Sequence, residues 1–95
     1  MASKFQTKVI AEYQMQDYLV LKTIRLNVNG YPDIIAMKPN EPTIFIEIKE
    51  AKDTLKPLQK LRIDQLNKKG FKAFCLQDGK GIIYPKDTIE ELLNF

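Results

Sequence analysis

Two short apolar runs facing each other across a polar turn constrain this chain more than any other feature. They are "PDIIAMK" (32–38) and "TIFIEIKE" (43–50), on either side of "PNEP". Both are rich in β-branched residues and too short for stable helices, so they read as two strands joined by a turn. Pro32 stands at the start of the first strand, where a missing amide hydrogen does least harm. Side chains alternate along a strand, so Ile44, Ile46 and Ile48 share one face and Phe45, Glu47 and Lys49 the other. A hairpin centred on Asn40 opposes Met37 to Thr43, Ile35 to Phe45 and Asp33 to Glu47. Directly opposed Cβ atoms lie about 4.5–5.5 Å apart. Two carboxylates that close repel and raise each other's pKa. The pair is costly unless a cation lies between them, and oxygens from both could reach one Mg²⁺ at about 2.0–2.1 Å. Lys49 stands roughly 6.5–7 Å further along the same face, where its ammonium could hold a water or a phosphate oxygen.

Composition narrows the chemistry that such a pair could serve. The chain has no histidine and one cysteine, which excludes a histidine base, a histidine-containing triad and a structural zinc site built from this chain alone. Carboxylates, lysines and a hard cation remain. Fifteen basic residues against twelve acidic ones, a net +3, permit an anionic partner. Thirteen of the fifteen cations are lysine, and many of them solvate the surface. A chain of 95 residues is expected to form a single domain, 1–95. No stretch reaches the roughly 18 unbroken apolar residues of a membrane span, and "MASKFQTKVI" lacks the apolar core of a signal peptide. A cytoplasmic protein with no membrane partner is expected, with Cys75 of "FKAFCL" in its core.

The remaining elements follow from periodicity and punctuation. "SKFQTKVIAEYQMQ" is helical, with Phe5, Val9, Ile10 and Tyr13 on one face. "YLVLKTIRLNV" (18–28) is β-rich and runs into the turn signal "NG". "KDTLKPLQKLRIDQLNKKG" is a second helix, with Pro57 in its first turn and Gly70 at its stop. "FKAFCLQ" (71–77) is a strand, "DGKG" a turn and "IIYP" a short strand. Asp87 and Glu90 form a capping pattern that opens a last helix, "TIEELLNF". The order αβββαβ, with a further strand and helix, describes an α/β (α+β) sandwich with an antiparallel meander.

The stretch "GYPDIIAMKPNEPTIFIEIKEAKDTLKPLQ" (30–59) resembles the PD-(D/E)XK nucleases, and within them the VRR-NUC (virus-type replication-repair nuclease) family in its small stand-alone phage and bacterial form. The Gly-x-Pro-Asp, Glu-x-Lys and "LKPLQ" elements carry the resemblance together, and the element order extends it over nearly the whole chain. The resemblance implies a restriction-endonuclease-like core and a Mg²⁺- or Mn²⁺-dependent endonuclease that hydrolyses DNA phosphodiesters in a bacterial or phage-infected cell. By position it makes Asp33 and Glu47 the metal carboxylates, the main-chain carbonyl of Ile48 a third ligand, and Lys49 the catalytic lysine. Gln59 matches the glutamine that follows Glu-x-Lys on the next helix; a helical wheel sets it between Ile63 and Leu66, facing the sheet.

The family often carries a glutamate on the first helix. Here Gln6 holds the nearest spacing and Glu12 is the only acid on that helix, so either could serve or Glu12 could be a solvated charge. Lys22, Arg25, Lys52, Lys56 and Lys60 are candidates for gripping DNA phosphates. One Glu-x-Lys site cuts one strand, so symmetric resolution of a Holliday junction needs two sites, which a homodimer supplies. Tyr18, Leu19, Phe95 and "IEELL" are candidates for its interface. The rival readings are a flap, nick or linear-duplex nuclease with the same chemistry, and an inactive DNA-binding or interaction module.

Overall fold

Ser3 starts the first helix, its hydroxyl accepting the free Gln6 N–H at 2.9 Å. A computed structural model describes residues 3–86. Its elements are α1 (Lys4–Met15), β1 (Leu19–Lys22), β2 (Ile34–Met37), β3 (Ile44–Lys49), α2 (Pro57–Lys68), β4 (Lys72–Gln77) and β5 (Gly81–Tyr84). The capped helix expected over "TIEELLNF" lies outside the described residues, as does Phe95. No helix among the described residues is long and apolar enough to cross a membrane.

The five strands form one sheet in the order β1-β2-β3-β4-β5. The hairpin register is the one the alternation predicts: Ile34 pairs with Ile46, Ile35 with Phe45 and Ala36 with Ile44. Asn40 adopts φ 65° in the connecting turn, a left-handed conformation that asparagine tolerates better than most residues. β4 returns through α2 to lie parallel to β3, setting Glu47 beside Cys75 and Lys49 beside Gln77. β5 then closes the sheet as an antiparallel hairpin partner of β4. The expected meander thus holds for the first three strands, and a parallel crossover breaks it at the fourth.

Alternation divides the core in two. Ile34, Ala36, Ile44, Ile46, Ile48, Phe74 and Leu76 turn to one face and pack against Val9 and Tyr13 of α1. Ala73 and Cys75 turn to the other with Phe45, against Ile63 and Leu66 of α2 and the loop residue Leu55. Each fully buried Ile or Leu side chain contributes about 1.5–3 kcal/mol of apolar transfer. Cys75 is fully buried and burial pushes its thiol up to about 12, so it is a core residue, as expected.

One strand is shorter than the sequence pattern suggests. β1 stops at Lys22 instead of continuing to residue 28. The pairing with β2 is carried one residue further by single bonds: Thr23 N–H donates to Asp33 O at 2.7 Å and its hydroxyl donates to Pro32 O. α2 begins at Pro57, in its first turn as expected. A residue before proline is disfavoured in the α region, and Lys56 is accordingly extended, at φ −82° and ψ 154°. Gly70 follows the helix at φ 97°, the expected stop.

The segment before Asp33 is docked on α2. Arg62 stacks on Tyr31, its guanidinium carbon 4.9 Å from the ring centroid, and its Nε donates to Asn29 O at 3.0 Å. Gly30 sits between them at φ 89°, and a Cβ there would lie 2.7 Å from Leu58 Cγ. Gly30→Ala therefore combines left-handed strain with a side-chain clash. Chemical denaturation should show a loss of about 1–2 kcal/mol with an unchanged slope. Equal midpoints for variant and wild type would show that this contact can shift freely.

Candidate active site

The hairpin ladder stops one residue short of Asp33, and side chains take over there. Asp33 lies just outside β2, and its Oδ2 accepts the Ile48 N–H at 3.0 Å. The N–H and C=O of one strand residue point to the same side, so the Ile48 carbonyl also faces the side that Asp33 occupies. Glu47 follows the alternation to the α2 face, where it is 3 % exposed. Lys49 lies on the same face, 9 % exposed, with its Nζ 3.6 Å from Glu47 Oε2. From the first turn of α2, Gln59 Nε2 donates to the same Glu47 oxygen at 3.2 Å. Its Oε1 accepts the Lys56 N–H at 2.9 Å, so one side chain ties the helix start to the carboxylate.

The electrostatics are those of a buried acid that lacks enough positive charge. Burial first, and then the Asp33 carboxylate, push Glu47 up to about 8, although Lys49 pulls the other way. The Lys49 ammonium offsets only part of that cost.

Asp33, Glu47, Lys49, Gln59 and the Ile48 main chain are thus brought together. The first-helix candidates are placed differently. Val9 and Tyr13 set α1 against Ile46 and Ile48, on the face opposite Glu47 and Lys49. Glu12 and Gln6 are half-buried there. Among the described residues, no hydrogen bond or ion pair joins either to Asp33, Glu47 or Lys49. Lys22, Arg25, Lys52, Lys56 and Lys60 are all exposed. Lys60 lies over Tyr84, 5.8 Å from the ring centroid, and with Lys86 and Thr54 lines a hollow of about 260 Å³.

Two features of the site escape the sequence reading. One is the Tyr31–Arg62 stack that holds the approach to Asp33. The other is Gln77, 4 % exposed at the end of β4. Its signal was a polar residue closing the apolar run "AFCL", but only the parallel pairing reveals that it lies beside Lys49.

Among the described residues, no group of three or more carboxylate, thiol or imidazole side chains converges. Two carboxylates and a main-chain oxygen are a hard-oxygen set that suits Mg²⁺, which keeps several waters and needs only one or two carboxylates. A mixed sheet with an acid at the end of one strand, Glu-x-Lys on the next and a crossover helix behind them defines a nuclease domain of the PD-(D/E)XK type. The family model of the VRR-NUC domain matches residues 3–78, and the chain belongs to that family. A solved structure described as a VRR-NUC domain has the same fold, with a TM-score of 0.64 at 22% identity over 74% of this chain and 76% of its own. No match is found among curated proteins.

The raised Glu47 fixes the sign of a pH effect. Its folded pKa, about 8, lies above the ordinary glutamate value of 4.5, so the native state holds this proton more tightly than the unfolded chain. The stability it contributes is complete below about 4.5 and is lost as pH rises through about 8. In EDTA, thermal unfolding should show wild type losing stability from pH 5 to 8. Glu47→Gln should be flatter, with the gap between the two widening as pH rises. Parallel curves would remove the buried-acid account.

Proposed function

We propose that this chain is a Mg²⁺- or Mn²⁺-dependent endodeoxyribonuclease that acts on branched DNA, with a four-way junction as substrate and a homodimer as the working form. The observation that carries the reading is the meeting of Asp33, Glu47 and Lys49 at one strand end, with Glu47 held by Gln59. Asp33, Glu47 and the Ile48 carbonyl would hold the metal. When bound, the metal supplies Lewis-acid neutralisation of phosphate charge and a more acidic water.

The chain's own groups do the remaining work. Lys49 presents a largely buried ammonium beside Glu47, where it holds an anionic phosphate oxygen or orients the attacking water. Gln59 keeps Glu47 from turning away as charge changes around it. Exposed Lys22, Arg25, Lys52, Lys56 and Lys60 grip flanking phosphates without reading bases. Glu12 and Gln6 are given no part. The dimer reading rests on strand count, one site for each of two cuts, and draws support from the edge strand β1, where Leu19 is 61 % and Leu21 47 % exposed. Tyr18 is less available, since it packs edge-on against Tyr13 with centroids 5.3 Å apart.

Asp33→Asn and Glu47→Gln should each lower metal-dependent cleavage at least about 100-fold while the circular dichroism stays native. Near wild-type cutting by either would end the nuclease reading of this site.

Lys49→Ala should lose about 100- to 1000-fold in kcat and still bind Mn²⁺ in calorimetric titration, because lysine is no ligand. Loss of Mn²⁺ binding would make it a structural support of the acids. A panel of four-way junction, flap, nicked and linear DNA, with light scattering of the protein, decides the substrate and the dimer. A monomer that cuts only flaps or nicks would replace the resolvase reading and leave the nuclease standing.

A further inference from the structure

Gln77 is buried, polar and unused by the chemistry above. It follows Leu76 at the end of β4, beside Lys49 in the parallel register, and the next residue donates its N–H from Asp78 to Lys49 O at 2.9 Å. Its Nε2 lies 3.0 Å from Glu50 O, 3.3 Å from Ala51 O and 2.8 Å from Asp53 O. A primary amide has two hydrogens, so it divides them among three carbonyls of a single loop. A methionine would fill the same volume without desolvating an amide, so packing alone does not account for a glutamine.

The loop it holds joins two parts of the site. Lys49 lies just before it and Gln59 just after it, and both reach Glu47 Oε2, at 3.6 and 3.2 Å. The loop folds on itself through Glu50 N–H to Asp53 Oδ2 at 3.1 Å and Asp53 N–H to Glu50 O at 3.0 Å. Of residues 50–56 only Leu55 is buried. Gln77 is therefore the buried polar tether between this turn and the centre of the sheet.

We propose that Gln77 is a positioning residue for the nuclease site: by gathering the Glu50, Ala51 and Asp53 carbonyls it sets the path from β3 into α2, so that Lys49 and Gln59 converge on Glu47. The catalytic part of this inference rests on the nuclease reading above. The geometric part does not. Displacements of about 1 Å at such a site cost on the order of 100-fold in rate, while DNA held by surface lysines binds as before. A residue needed only for folding would change stability and leave the folded enzyme's kcat alone.

The test uses Gln77→Met in the full chain, at a temperature where circular dichroism shows it folded. Cleavage of whichever DNA the wild type cuts should fall about 10- to 100-fold in kcat, with KM within about twofold. In metal-free protein, the side-chain amide NMR signal of Gln59 should move toward the position of a solvated glutamine. Wild-type kcat together with an unmoved Gln59 signal overturns the proposal. Should Gln77→Met not fold, Gln77→Asn keeps an amide but is one methylene too short; the same kcat loss is expected, and full activity overturns the proposal. If the wild type cuts no DNA, the nuclease reading fails by itself. The Gln59 signal then decides the clamp alone: movement supports it, and no movement overturns it.

Discussion

The fold is organised around a carboxylate that water barely reaches. Glu47 lies on the middle strand of five with another carboxylate at its side. A buried acid is tolerated only when its oxygens are hydrogen-bonded and its charge is partly met. Gln59 and Lys49 meet one oxygen, and Asp33 spends an oxygen of its own on the Ile48 N–H. These contacts hold both acids in place, while Glu47 remains raised well above the ordinary carboxylate range. Deprotonating Glu47 therefore works against the fold.

Several local choices that look like loop detail serve this one arrangement. Thr23, just past β1, bonds Pro32 and Asp33. Gly30 lets the chain lie against Leu58, and Arg62 stacks on Tyr31. Together they fix the approach to Asp33 from outside the sheet. Pro57 delays α2 until the chain has crossed the strand end, and Gln59 then falls in its first turn facing Glu47. Removing regular structure at these points leaves side chains to satisfy the backbone, and those side chains set the geometry of the acids.

The two faces of the sheet have different duties. The α1 face is a continuous apolar layer around Ile34, Ile46, Phe74 and Val9 and carries most of the packing. The α2 face begins apolar at Phe45 and turns polar at Glu47, Lys49 and Gln77, at the end where β3 and β4 stop. The division accounts for the position of Glu12. A helix anchored by Val9 and Tyr13 keeps its one acid on the opposite face, and a Glu-x-Lys pair on β3 points away from it.

Alternation and punctuation were enough to determine a good part of this protein. Ile44, Ile46 and Ile48 against Glu47 and Lys49, with the turn at Asn40, specified the hairpin and its register, because a shift of one residue would expose three isoleucines and bury the wrong face. The same pattern set Asp33 near Glu47, and Pro57 with Gly70 marked the crossover helix. What tertiary structure alone decided is everything that depends on neighbours distant in sequence. Residues 24–28 have strand composition, yet β1 ends at Lys22, and the last bonds to the β2 side are those of Thr23 to Pro32 and Asp33. The local signal at Gln77, a polar residue closing an apolar run, does not name its acceptors, which lie on a loop more than twenty residues earlier. Local patterns encode which face a side chain takes; which groups meet on that face is settled by the parallel pairing of β3 with β4, a long-range contact that no short window of sequence contains.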